Sequence, residues 1–206
     1  MNIRNRFLHL FALGLGLAPL TALAAQDAST PANQGLGGPA VPGLCLLSRE
    51  GVVANAAVGK ATLARLKQIT DAAQAEVDAE RRPIETDAKA FQAEAPQLSA
   101  EQRKTREQAL SARLQAVQAK TEQRSREIDA TRAKALQRVS TELQPVVAQV
   151  YKQHGCGLLV DRNSVLGGNM DNDLTAAVVK ALDAKITTIS FNRESLPQSA
   201  VATRTN

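Results

Sequence analysis

Residues able to do chemistry are few in this chain, and they stand far apart. Past the first 24 residues there is one histidine, His154, placed where a long helical pattern meets Gly155. A histidine there caps the last carbonyls of a helix. The two cysteines, Cys45 and Cys156, share no Cys/His spacing that suits zinc. Ser48, Ser164 and Ser190 have no partner base close by. Asp171-Asn172-Asp173 begins like a calcium loop, but Ala176 stands where the turn glycine belongs and Leu182 where the bidentate glutamate belongs. It reads as a helix start instead. The Gly-Leu-Gly-Gly run ending at Gly38 follows no strand and opens no helix, so it is a poor phosphate cradle. The remaining carboxylates are scattered along helical segments, with no cleft to raise a pKa. No catalytic constellation, metal site or cofactor is expected, and the chain does not read as an enzyme.

The elements that carry these residues point elsewhere. Arg4 and Arg6, an apolar run from Phe7 to Leu20, and Ala22-Leu23-Ala24 read as a secretory signal peptide over residues 1–24. The run is shorter than the roughly 20 residues a membrane span needs. The mature protein is expected outside the cytoplasm, in a periplasm. Residues 25–42, rich in Ser, Thr, Pro, Asn and Gly, read as a flexible leader. In an oxidising compartment Cys45 and Cys156 are candidates for a disulfide, with two buried thiols as the other reading.

From Ala54 to Gln153 the chain is almost all Ala, Gln, Glu, Lys and Arg. Aromatics are 2% and much of the 44% apolar content is alanine, too little bulk for a large globular core. The segment predicts a helical hairpin over residues 54–154. Ala95-Pro96-Gln97-Leu98 breaks it, and Ser99 with Gln102 forms a capping box, so the tip falls near 96–99. Before the tip, Leu63, Thr70, Val77, Ile84, Phe91 and Leu98 recur every seven residues. Leu66 and Ala73 form a second track that fades into Glu80 and Asp87. After the tip the step is eleven: Val117, Ile128, Val139, Val150, and beside them Leu114, Ser125, Leu136, Val147. The two periods favour different supercoils. Pro83 and Pro145 predict kinks.

Short segments flank the hairpin. Gly43 to Leu47 reads as a buried strand, with a helix starting by about Val52. Cys156 to Asp161 reads as another strand, and Ser164 to Leu166 as a short return strand. Asp173 caps a helix over 174–183. Lys185 to Phe191, rich in β-branched residues, reads as a last strand, and residues 192–206 as a disordered tail. The fold class expected is α+β: a small β body over 43–53 and 155–191 with a long antiparallel α-helical coiled-coil hairpin projecting from it.

Charge is uneven along the arm. Removing Arg4 and Arg6 from the 25 basic residues leaves 23 against 20 acidic ones, a mature charge of +3. From Lys60 to Ala95 six basic residues face seven acidic ones; from Ala100 to Gln153 eleven face six. A cationic second helix suits anionic lipid or lipopolysaccharide, or is a solvated face with i,i+4 pairs. Arg103, Lys104, Arg106 and Arg113, just past the tip, form the candidate cationic patch.

This order of elements resembles the Skp/OmpH family of periplasmic chaperones. Gly43 to Val53, Gly157-Leu-Leu-Val-Asp161 with Ser164-Val-Leu166, and Asp173-Leu-Thr175 carry the resemblance, which spans roughly Gly43 to Leu182. It implies a homotrimer joined through the β body, with Leu44, Leu46, Leu158 and Val160 in the trimer-forming part. It also implies arms that enclose unfolded outer-membrane proteins without ATP until membrane insertion. The leader, the extra Ile-Thr-Thr-Ile segment with its tail, and the cysteine pair depart from the family. Two other readings compete: a periplasmic coiled-coil spacer or adaptor of an envelope assembly, and a peripheral lipid-binding coiled coil. No nucleic-acid partner is expected.

Overall fold

The computed structural model describes residues 36–197. The expected signal peptide, most of the leader, and the tail from residue 198 lie outside the described residues. The chain forms a strand β1 (Leu44–Leu47), a short helix α1 (Arg49–Asn55), and a long helix α2 (Ala57–Glu94). After a 3-10 turn at Ala95–Gln97 come the longest helix α3 (Ala100–Gln153), strand β2 (Leu158–Asp161), a 3-10 turn at Arg162–Ser164, and helix α4 (Thr175–Lys185).

β1 and β2 pair in parallel, with Leu44 opposite Leu158 and Leu47 opposite Asp161. Parallel neighbours need a crossover, and here the crossover is the whole hairpin. α2 leads the chain out, α3 returns it, and a tight helix end turns it into β2. That end is a Schellman motif. Gly155 adopts φ +64, its N–H donates to Lys152 O at 3.2 Å, and the Cys156 N–H donates to Tyr151 O at 3.2 Å. A residue with a side chain would be strained at Gly155.

The body is more helical than its sequence suggests. Its core gathers Cys45 and Leu47 of β1, Val52 of α1, Val58 of α2, Val139, Leu143, Val146 and Val150 of α3, and Leu174, Val178 and Leu182 around α4. Two expected strands do not form. Ser164 ends a 3-10 turn and Val165-Leu166 is irregular, because the Asp161 side chain bonds the Asn163 amide and starts a turn instead. Residues 186–191 take no regular structure, with a bend at Thr187, and pair with no strand; Ile186, Ile189 and Phe191 use their apolar faces against the core. Nor is the tail unstructured as far as residue 197, since it runs along the arm. The last part of the leader is also tied down, with Asn169 Nδ2 donating to Gly38 O at 3.0 Å and Asn172 Nδ2 to Val41 O at 3.1 Å.

The helix expected from about Val52 is two helices. Ala56 is extended between them (φ −67, ψ 147). Gly59 lets the two pack closely: a Cβ there would fall 1.7 Å from the Val53 carbonyl oxygen. Ala56 has no capping side chain, so Asp183 of α4 supplies one, its Oδ1 accepting from the Ala57 N–H at 2.7 Å. At the far end the Ser99–Gln102 capping box forms in both directions. α2 continues through Pro83 and α3 through Pro145 without interruption.

Candidate functional site

The arm is the candidate site, and its inner seam differs from the seven-residue pattern. Leu63 and Thr70 are exposed. Besides Gly59, the buried positions of α2 are Val58, Thr62, Leu66, Ile69, Ala73, Val77 and Ile84. Val58 to Ile69, Thr62 to Ala73 to Ile84, and Leu66 to Val77 are each eleven residues apart. α3 keeps Val117, Val139 and Val150 of its eleven-residue track buried, with Ile128 half-buried between them. Both helices therefore share eleven-residue steps among their buried positions. The parallel track of Leu114 and Leu136 faces outward.

Where the second track of α2 faded into acids, the structure has a ladder. Glu94 pairs with Arg106, Asp87 with Arg113, Glu80 with Lys120, and Glu76 with Arg124. The α2 partners step back by 7, 7 and 4 residues as the α3 partners step forward by 7, 7 and 4. Acids on one helix and bases on the other fix the antiparallel register. The basic excess of α3 is partly consumed here. Two of the four residues in the expected cationic patch, Arg106 and Arg113, are tied across the hairpin to carboxylates. Arg103 and Lys104 are exposed and make no ion pair among the described residues.

The inner end of the ladder is a charged cluster that sequence reasoning missed. Glu127 is 2% exposed, whereas the charge pattern of α3 gives no sign of a buried carboxylate. Arg124 Nη1 lies 2.7 Å from its Oε2, Gln123 Nε2 donates to its Oε1 at 3.1 Å, and Arg193 Nε lies 3.3 Å away. Arg193 also donates to Glu76 at 3.0 Å, and Arg124 donates to Glu76 at 2.8 Å. Two carboxylates and two guanidinium groups thus neutralise each other. The Arg193 hydrogen bond, with Arg124 next, holds the Glu76 carboxyl below its usual range against the opposing pull of burial. Arg124 is correspondingly raised, first by its bond to Glu76. The i,i+3 spacing of Arg124 and Glu127 was a usable signal; nothing near Arg193 in sequence announced that it would join them.

In the body, Cys45 and Cys156 form a disulfide with Cα atoms 5.8 Å apart and a sequence separation of 111. It ties β1 to the short link between α3 and β2. Leu44 and Val160 are half-buried, and Leu158 is 57% exposed. Leu46 is only 3% exposed, so its side chain is already covered within the chain itself. β1 is bonded on both sides, since Leu46 N–H donates to Asn172 O and its carbonyl accepts from Leu174 N–H. β2 pairs only with β1 among the described residues, so its outer edge is open. Among those residues no group of three or more His, Cys, Asp or Glu gathers as for a metal, and no helix is long and apolar enough to cross a membrane.

A family model described as "Outer membrane protein (OmpH-like)" matches residues 44–182, which leaves the segment from 186 onward beyond the match. Among solved structures, a proposed outer membrane chaperone (OmpH-like) from Caulobacter crescentus CB15 is 41% identical, with a TM-score of 0.72. That likeness covers 81% of this chain and 99% of the other. No curated protein matches.

Proposed function

The chain belongs to the OmpH-like family, and from that we propose that it is an ATP-independent periplasmic holdase that keeps unfolded outer-membrane proteins from aggregating before membrane insertion. The family is one of chaperones and not of enzymes. The observation that carries the reading is the arm. It is long and free of any catalytic constellation, and outside one narrow seam it offers dilute apolar side chains such as Leu63, Leu114 and Leu136 among charges. Such a surface touches many alternating apolar strands weakly. Preferential binding of the unfolded chain lowers its free concentration by mass action. Weak multiple contacts also permit release without an energy source.

The holdase works as a homotrimer in this reading. The open edge of β2 and the exposed Leu158 beside it support assembly, because an unpaired edge with apolar neighbours is a template for another chain. Three bodies joined there would hang three arms around one cavity. Leu44 and Val160 contribute their half-buried faces, and Leu46 acts from behind as core. Periplasmic residence is supported by the signal-like first 24 residues and by the disulfide, which persists in oxidising compartments. Arg103 and Lys104 are the part of the tip patch left for lipopolysaccharide or anionic lipid. A spacer or adaptor is less well supported, since such hairpins join substantial β domains and the body holds a two-stranded sheet.

The test is dilution of a urea-unfolded outer-membrane β-barrel into the purified mature protein. Light scattering by the client should be suppressed at one trimer per client. No suppression at that ratio removes the holdase reading. Multi-angle light scattering of the protein alone should give three chains; a stable monomer removes the trimer.

A further inference from the structure

Residues 186–197 leave α4 as irregular chain and lie along the body end of the arm. Ile186, Ile189 and Phe191 pack against the body core. Beyond them the backbone finds partners on both long helices. Arg65 Nε donates to Phe191 O at 3.4 Å and Arg138 Nη1 to Ser190 O at 3.3 Å. The Glu194 N–H donates to Thr131 Oγ1 at 2.9 Å, and Gln123 Nε2 donates to Leu196 O at 3.4 Å. Arg193 enters between Glu76 of α2 and Glu127 of α3. The furrow therefore reads two carbonyls, then an amide and a further carbonyl, together with two apolar side chains two residues apart and one cation. Those features are common to extended chains, and little in the seat depends on a particular sequence.

The seat is held unevenly: the Lys134–Glu194 pair is exposed and adds little, whereas Arg193 meets Glu127 where that carboxylate is 3% exposed. A peripheral segment held this way detaches far more often than the core unfolds. Detachment leaves Glu76 and Glu127 facing Arg124 alone and frees Lys134 from Glu194, so a locally acidic notch lies beside a basic rim. Such a notch attracts a basic residue from another chain.

We propose that this furrow is an extended-chain binding site, that residues 186–197 occupy it in cis, and that an unfolded client segment with spaced apolar residues followed by a basic one displaces them. The proposal rests on the client-holding reading above. Tethering gives the cis segment a high effective concentration, so only a client that makes further contacts with the arms competes well. The segment then acts as a gate: it shields the furrow when the protein is empty and yields it when a client is enclosed.

Hydrogen exchange on the full mature protein tests this, with a urea-unfolded outer-membrane β-barrel as probe. The Glu194 amide, the one in residues 190–196 that donates a hydrogen bond, should exchange at least tenfold faster when client is held, while those of Val139 and Leu143 do not change. Full-length Arg193→Glu, which sets a third carboxylate against Glu76 and Glu127, should speed the Glu194 amide without client and hold client several-fold more tightly. Client suppression with unchanged protection at Glu194 overturns the displacement and leaves the holdase reading intact. A loosened segment in Arg193→Glu with equal or weaker client retention overturns it as well. If no client is held at all, the holdase reading fails and the displacement falls with it.

Discussion

The half of the arm near the body and the half near the tip are built from the same few residue types and held by different forces. Near the body, α2 and α3 bury Leu66, Ile69, Ala73, Ala135, Val139 and Leu143, and the 186–197 segment lies against them. The Glu76–Arg124–Glu127–Arg193 cluster closes this half. Past it comes one small apolar group, Val77, Ile84 and Val117 with Leu110. From residue 85 to residue 116 no side chain of either helix is buried, and the hairpin is held by the Asp87–Arg113 and Glu94–Arg106 pairs and the tip cap. Exposed pairs contribute little each, about 0.2–1 kcal/mol, and weaken with salt. Buried apolar contacts contribute several times more. The arm thus joins a densely packed root to a sparsely packed tip, a gradient that fits the client-holding role proposed above.

Predictions follow that gradient downward. Replacing both Cys45 and Cys156 by Ser frees the longest loop in the described chain, and should cost about 4 kcal/mol in a urea titration followed by helical circular dichroism. The loss belongs to the body, so hydrogen exchange at the tip should not change. Leu143→Ala, in the root core, should cost about 3 kcal/mol in the same titration. Phe91→Ala, on the half-buried tip face, should cost under about 1 kcal/mol, because little area is covered there to lose. Equal costs for the two would erase the distinction between the halves.

The charge ladder gives a finer cut. Asp87→Arg should weaken the tip by under about 1 kcal/mol and more at low salt, and adding Arg113→Asp should recover most of that. Smallest is the effect of acid on the cluster that divides the halves. The Glu76 carboxyl is held below its usual range by Arg193 and Arg124. Its contribution is therefore present above the ordinary carboxylate pKa and lost as pH falls through the lowered folded value. The stability gap between the wild type and Glu76→Gln should shrink over that acid window, and stay flat above it.

The root and the tip were also unequally legible in the sequence. Pro96 and the Ser99–Gln102 box state the tip outright, since backbone restriction and capping are local. The order strand, hairpin, strand was readable too, because Gly and Pro punctuate it. The seam was harder. Leu63 and Thr70 share a spacing with Val77 and Ile84, yet only the later pair is buried, and Ala135, which lies on neither eleven-residue track, is buried too. The fading into Glu80 and Asp87 was visible as a pattern, but it became a ladder only once Lys120 and Arg113 lay opposite. The 186–197 segment was least legible. Its β-branched run has strand composition, and only the tertiary position of Glu76, Thr131 and Glu127 tells it to lie on helices instead.

The central claim is that an unfolded client is sheltered between arms densely packed at the root and sparsely packed at the tip, and protease protection tests it most directly. An outer-membrane β-barrel protein labelled for detection is diluted from urea into the native mature protein, and a broad-specificity protease is then added. The account predicts that at one trimer per client the client stays unfolded by circular dichroism and still resists cleavage at least tenfold longer than the free unfolded chain. Cleavage as fast as that of the free chain, at a ratio where light scattering shows the two proteins together, would contradict it.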